Sequence, residues 1–170
     1  MKNVEIKARC EFPGKVEKIL LENGADYKGL DHQTDTYFNV KNGRLKMRIG
    51  NIEKSLIYYN RPNIKGPKKS TFNLYRSDDL EALKPLLISS LGIMVEVKKH
   101  RKIFFIDHVK FHIDEVDGLG NFVEIEVGDL NDTKTVDELQ NLCDYYIKLL
   151  GVKEENLINI SYSDMLMKNK

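Results

Sequence analysis

Arg44, Lys46 and Arg48 stand two residues apart, as do Lys99 and Arg101. On a β-strand, residues two apart share a face, so each set makes a row of one sign. Glu124 and Glu126 make a row of the opposite sign, with Asp114 one chain reversal before them. Glu5 and Lys7 put both signs on one face. Aligned like charges repel, so a cationic row seeks an anion. Two readings are open. These faces could be the solvent sides of half-buried strands, where charge is ordinary. Alternatively the sheet closes with them inward, giving a polar tunnel with many cations and a small carboxylate cluster. The second arrangement has definite chemistry. Arginine forks bind phosphate oxygens in pairs, and lysines act as point charges. Carboxylates repel phosphate and help only by holding a hard cation such as Mg²⁺ or Mn²⁺, which takes oxygen ligands from one or two carboxylates and from phosphate. Such an interior suits a triphosphate.

The elements that must position these residues follow from periodicity. Period-two alternation runs through 4–10, 44–49, 111–114 and 123–127, and shorter strands fit at about 33–39, 55–61, 70–76 and 95–106. Asn42-Gly43 is a hairpin dipeptide, and Asp107-His108 and Gly118-Leu119-Gly120 read as two further reversals. Helices are expected over Pro13–Asn23, over Asp79–Leu91 with a kink or split at Pro85, and over Thr135–Leu150. Residues 60–70, with two prolines, Gly66 and three lysines, read as a mobile loop. Roughly eight strands and few helices predict an α+β fold with a large antiparallel sheet, in one domain over 1–170.

Composition narrows the function classes. The 170 residues are 41% hydrophobic and 31% charged, an ordinary globular balance. Net charge is +1, so no general case arises for nucleic acid or a membrane surface, and any charge-based function must come from sorting of charges. No apolar run approaches a membrane span, and Lys2, Glu5, Lys7 and Arg9 leave no signal-peptide core at the start. Cys10 and Cys143 are far apart on apolar faces, which fits core positions and a reducing, cytoplasmic setting. No His/Cys set has zinc spacing, and no glycine-rich phosphate loop occurs. His112 shares a face with Asp114 and reads as a hydrogen-bonded residue of the sheet.

Several segments in their joint order resemble a known family. They are Val4-Glu5-Ile6-Lys7-Ala8-Arg9, Gln33-Thr34-Asp35-Thr36-Tyr37-Phe38, Gly43-Arg44-Leu45-Lys46-Met47-Arg48, Tyr58-Tyr59-Asn60-Arg61-Pro62, Val97-Lys98-Lys99-His100-Arg101, His112-Ile113-Asp114-Glu115-Val116 and Leu119-Gly120-Asn121-Phe122-Val123-Glu124-Ile125-Glu126. Over residues 3–128 the chain resembles the CYTH superfamily, the triphosphate tunnel metalloenzymes. It looks nearest to the branch of class IV adenylyl cyclases and thiamine-triphosphatase-like proteins. The resemblance implies a closed eight-stranded antiparallel β-barrel with helices packed outside, and Mg²⁺- or Mn²⁺-dependent chemistry. Carried over by position, Glu5, Asp114, Glu124 and Glu126 fall on metal ligands, and Glu5, Lys7, Glu124 and Glu126 carry catalysis. Lys7, Arg44, Lys46, Arg48, Arg61, Lys99 and Arg101 fall on phosphate clamps, joined by Lys68 or Lys69. The family motif opens with a glutamate two residues before Glu5, where this chain has Asn3. Asparagine can ligate a metal through its carbonyl oxygen but adds no charge.

The resemblance implies an enzyme breaking a phosphoanhydride in ATP, thiamine triphosphate or tripolyphosphate, as a cyclase or as a hydrolase, in a monomer or homodimer. Asn3 keeps a second class open, a non-catalytic sensor that binds triphosphate or polyphosphate.

Overall fold

The computed structural model describes residues 2–60, 71–129, 131 and 133–170. Arg61 and the alternatives Lys68 and Lys69, expected at the phosphates, lie outside the described residues. Nine strands form one antiparallel sheet: β1 (Lys2–Arg9), β2 (Asp26–Phe38), β3 (Arg44–Ile49), β4 (Lys54–Asn60), β5 (Thr71–Tyr75), β6 (Ile93–Ile106), β7 (Val109–Val116), β8 (Gly120–Asp129) and β9 (Leu157–Ile158). Their order across the sheet is β5-β4-β3-β2-β6-β7-β8-β1-β9. The helices are α1 (Pro13–Glu22), α2 (Leu80–Leu91), α3 (Val136–Leu149) and α4 (Tyr162–Lys168).

The three reversals behave as their sequences dictate. Gly43 sits at φ +67° in the β2–β3 turn, and an added Cβ would strike Tyr58 and the backbone of Tyr59. Asp107, at φ +49°, turns β6 into β7, and Gly118 and Gly120 turn β7 into β8. Helix α3 is fixed by a reciprocal cap in which Thr135 accepts from the Glu138 amide while Glu138 accepts from the Thr135 amide. Helix α2 does not split at Pro85. That residue is on the exposed side, where water can serve the carbonyl that proline leaves without a donor.

Alternation decides which face each residue takes. On one face Val4, Ala8, Phe104, Val109, Phe111, Ile113, Val123, Ile125 and Val127 pack with Val16 and Leu20 of α1 and Leu139 and Cys143 of α3. Phe38 and Met47 pack with Leu80 of α2. The opposite face is concave. Glu53, in the β3–β4 turn, accepts from Lys110 of β7 at 2.5 Å, although β2 and β6 lie between those strands in the sheet. At the other end Tyr37, Val95, Val97, Val116 and Phe122 are covered by Tyr162 and Met165 of α4.

Two expectations need correction. Among the described residues the sheet has nine strands and no ladder joins its two edges, so hydrogen-bonded closure into an eight-stranded barrel is not found. The concavity is spanned instead by side-chain bridges and by α4. Nor do all the helices pack outside, because α4 lies on the concave side. No described helix is long and apolar enough to cross a membrane.

Candidate active site

The rows of charge face the concavity. Arg48 of β3 sits opposite Asp35 of β2, and the guanidinium grips the carboxylate through Nε at 2.8 Å and Nη2 at 2.9 Å. Lys99 of β6 donates to the same carboxylate at 2.8 Å, and Lys46 stands 3.7 Å from it. Three cations therefore share one buried aspartate. Burial would raise the Asp35 carboxyl, but Arg48, Lys99 and Lys46 outweigh it and hold it well below the usual range. The lysines carry the strain of this crowding. Burial, the largest influence, works against the attraction of Asp35, and repulsion from Arg48 and Arg101 adds to it, bringing Lys46 down to about 7 and Lys99 to about 8.

Arg101 is the hinge between this cationic wall and an acidic edge. Its Nε and Nη2 donate to the two oxygens of Asp114 at 2.7 and 2.6 Å, and Nη2 also reaches Glu124 at 3.0 Å. Lys7 lies 3.3 Å from the other Glu124 oxygen. His112 Nδ1 is 3.0 Å from Glu124 Oε2. Burial, then the charge of Arg101, pushes the imidazole down to about 4, so it is neutral near pH 7. Since the carboxylate accepts, Nδ1 carries the proton and Nε2 is a lone-pair acceptor, buried with no partner among the described residues. Asp114 is further bound by the Tyr162 hydroxyl at 2.8 Å.

Beyond Glu124 two carboxylates meet. Glu126 of β8 is the register partner of Glu5 of β1. Burial, then Glu5, raises the Glu126 carboxyl. The Nδ2 of Asn3 donates to Glu126 Oε1 at 3.2 Å, and Asn3 Oδ1 is buried without a partner among the described residues. This orphaned oxygen beside two like charges is a donor set that a hard cation would satisfy. Among the described residues no three carboxylate, imidazole or thiol groups converge as a ready ligand set.

The concavity thus gathers Lys7, Lys46, Arg48, Lys99, Arg101, Asp114, Glu124 and Glu126, while Glu5 stands exposed at its rim. Arg44 is turned to α4, donating to Asp164 at 2.9 Å and to Ser161 at 3.0 Å. Sequence reasoning assigned no role to Asp35, Gln33, Glu53, Lys110 or Tyr162. Gln33, Asp35 and Tyr37 alternate on β2, which puts them on one face, but the register that sets Gln33 opposite Lys99 comes from the structure. Glu53 in a turn and Tyr162 on a short helix offer no such pattern.

The model of the CYTH domain family matches residues 1–162. The chain belongs to the CYTH family. It is 26% identical over 180 residues to "Putative adenylate cyclase MJ0240" of Methanocaldococcus jannaschii, covering 97% of this chain and 98% of that protein. Its fold is similar to that of a "putative adenylate cyclase" from Vibrio parahaemolyticus, with TM-score 0.79, 18% identity, and 98% of both chains covered. It is also similar to the PH1012 protein of Pyrococcus horikoshii OT3, with TM-score 0.78, 23% identity, and 95% and 98% of the two chains covered. At those identities the structural likeness speaks for the fold.

Proposed function

We propose that this CYTH chain is a metal-dependent enzyme that breaks a phosphoanhydride bond of a triphosphate lying in the concavity. One observation carries the proposal. Lys46, Arg48 and Lys99 crowd around Asp35, with Glu53 reaching only Arg48 of the three, while Glu5 and Glu126 face each other a few strands away. A metal triphosphate has the matching polarity. Its oxygens relieve the cationic wall, and its cation relieves the acidic edge.

In this reading Arg48 and Arg101 fork onto phosphate oxygens and Lys46 and Lys99 add point charge. Lys7, beside Glu124, neutralises charge that develops on an oxygen between wall and edge. Glu5, Glu124 and Glu126 hold Mg²⁺ or Mn²⁺, which when bound supplies Lewis-acid stabilisation of the phosphoryl oxygens. Asp114, with both oxygens committed to Arg101 and Tyr162, aims Arg101. Two outcomes use the same machinery. In a cyclase the ribose 3′-oxygen attacks the α-phosphorus, the bond from that phosphorus to the bridging oxygen breaks to release pyrophosphate, and the hydroxyl proton passes to solvent. In a hydrolase water attacks the γ-phosphorus and the diphosphate departs. The names of the relatives favour the first, and the phosphate grip alone suffices for the second.

The test is to incubate pure protein with Mg²⁺ or Mn²⁺ and, separately, ATP, thiamine triphosphate and tripolyphosphate. Cyclic AMP with pyrophosphate identifies a cyclase, and free phosphate without cyclic AMP a hydrolase. No product from any of the three, with binding retained, defeats the enzyme reading. That outcome leaves a triphosphate-binding sensor, which one observation favours: Asp114 and Glu124, two of the four expected metal carboxylates, are already engaged by Arg101.

A further inference from the structure

We infer that Asn3 ligates the divalent metal through its side-chain Oδ1, giving this chain a site with one neutral oxygen where a further carboxylate would add charge. The inference rests on the metal reading just proposed and concerns how this particular sequence completes that site.

Asn3 and Glu5 are two apart on β1 and share its concave face, and Glu5 is directly opposite Glu126. The bond from Asn3 Nδ2 to Glu126 Oε1 fixes the amide orientation, because an ionised carboxylate accepts and cannot donate to Oδ1. Oδ1 is therefore the atom left over, and it is buried without a donor among the described residues. A buried carbonyl oxygen with no partner is costly, so its retention needs an explanation. A donor would satisfy that oxygen alone. A cation satisfies it together with the two facing carboxylates, whose mutual repulsion it offsets. Amide carbonyls are ordinary ligands for hard divalent ions.

The substitution has a consequence for charge. Glu124 is already balanced by Arg101 and Lys7, so Glu5 and Glu126 supply the charge that cancels a divalent ion, and a glutamate at position 3 would leave a surplus negative charge facing the incoming phosphates. Asn3 therefore trades affinity for the bare ion against a smaller barrier to the triphosphate.

The experiment is a Mn²⁺ titration followed by the electron paramagnetic resonance signal of the free ion. It compares the native protein with Asn3→Ala, Asn3→Glu and Glu126→Gln, each checked for an unchanged circular dichroism spectrum. Removing the amide should weaken Mn²⁺ binding about tenfold, and Asn3→Glu should tighten it about tenfold. With chelator present, Asn3→Glu should also bind tripolyphosphate more weakly than the native chain. If Glu126→Gln weakens Mn²⁺ binding while both Asn3 variants bind as the native protein does, Asn3 is not a ligand and the carboxylate site stands. If Glu126→Gln also binds Mn²⁺ unchanged, the metal reading itself falls, and this inference with it.

Discussion

The wall formed by β2, β3 and β6 and the edge formed by β1, β7 and β8 are built from the same alternating strands, yet they carry opposite imbalances. On the wall Lys46, Arg48 and Lys99 converge on Asp35, and Arg48 also reaches Glu53 at 3.1 Å. At the edge Glu5 faces Glu126, which the Asn3 amide bonds and which has Lys110 as its register partner on the other side. Burial acts on both, and repulsion shifts each in its own direction: the lysines fall toward neutrality and the glutamate rises toward protonation. Between them Arg101, Asp114, Glu124 and Lys7 are matched in sign and closely bonded. Neutrality in the middle with excess at both ends is poor design for stability alone. It suits a ligand that is itself positive at one point and negative over the rest.

The comparison can be broken from either side. The largest effect is expected at the edge. Glu124→Ala or Glu126→Ala should lower kcat/KM by at least about 10²-fold and weaken Mn²⁺ binding, measured by steady-state turnover and metal titration. On the wall, Arg48→Ala should cost about 1.5–3 kcal/mol of triphosphate binding, the scale of a charge-assisted hydrogen bond, measured by calorimetry. An edge variant that spares metal, or a wall variant that spares triphosphate, would erase the distinction.

A pH series sharpens it. In the free protein Lys46 is charged below about 7 and loses its proton as pH rises through that value, with Lys99 following near 8. A bound triphosphate needs both charged. Affinity should therefore fall as pH rises from about 7 to 9, by up to about tenfold per pH unit for each lysine involved. Lys46→Arg keeps its charge throughout and should show a shallower fall. Parallel curves for the native protein and this variant would deny Lys46 the role. His112 gives a separate signal in stability. Its proton affinity is lower in the fold than in the unfolded chain, so its contribution is complete above about 6.5 and is lost as pH falls toward 4. Chemical denaturation across that window should show His112→Gln less sensitive to pH than the native chain.

The smallest effect is expected at Arg44, which belongs to neither region while α4 holds it. Asp164→Ala should cost no more than about 1 kcal/mol of stability, as befits a part-exposed ion pair, and should tighten triphosphate binding a few-fold by releasing the guanidinium.

Much of this was legible because strand alternation is local. The rows at 44–48, 99–101 and 124–126 declare their shared face, and Asn42-Gly43 and Gly118 to Gly120 declare the turns that bring the rows together. What local pattern does not report is which distant strands meet. Asp35 sits in a mixed stretch and makes no row, so its place beneath three cations needed the β2–β6 register. The Glu53–Lys110 bridge joins a turn to a strand 57 residues on. Helix α4 has seven residues, too few for periodicity to reveal, yet its Tyr162 and Met165 cover one end of the concavity. Closure is not legible for the same reason, since alternation shows that a sheet has an inner face without showing whether its edges pair.

A crystal structure of the protein soaked with Mn²⁺ and a non-hydrolysable triphosphate tests the account most directly. The expected result is an anomalous peak between Glu5 and Glu126, with the phosphates among Lys46, Arg48, Lys99 and Arg101. Phosphate found instead on the outer face of β6, beside Lys98, His100 and Lys102, with the concavity filled only by water, would contradict it.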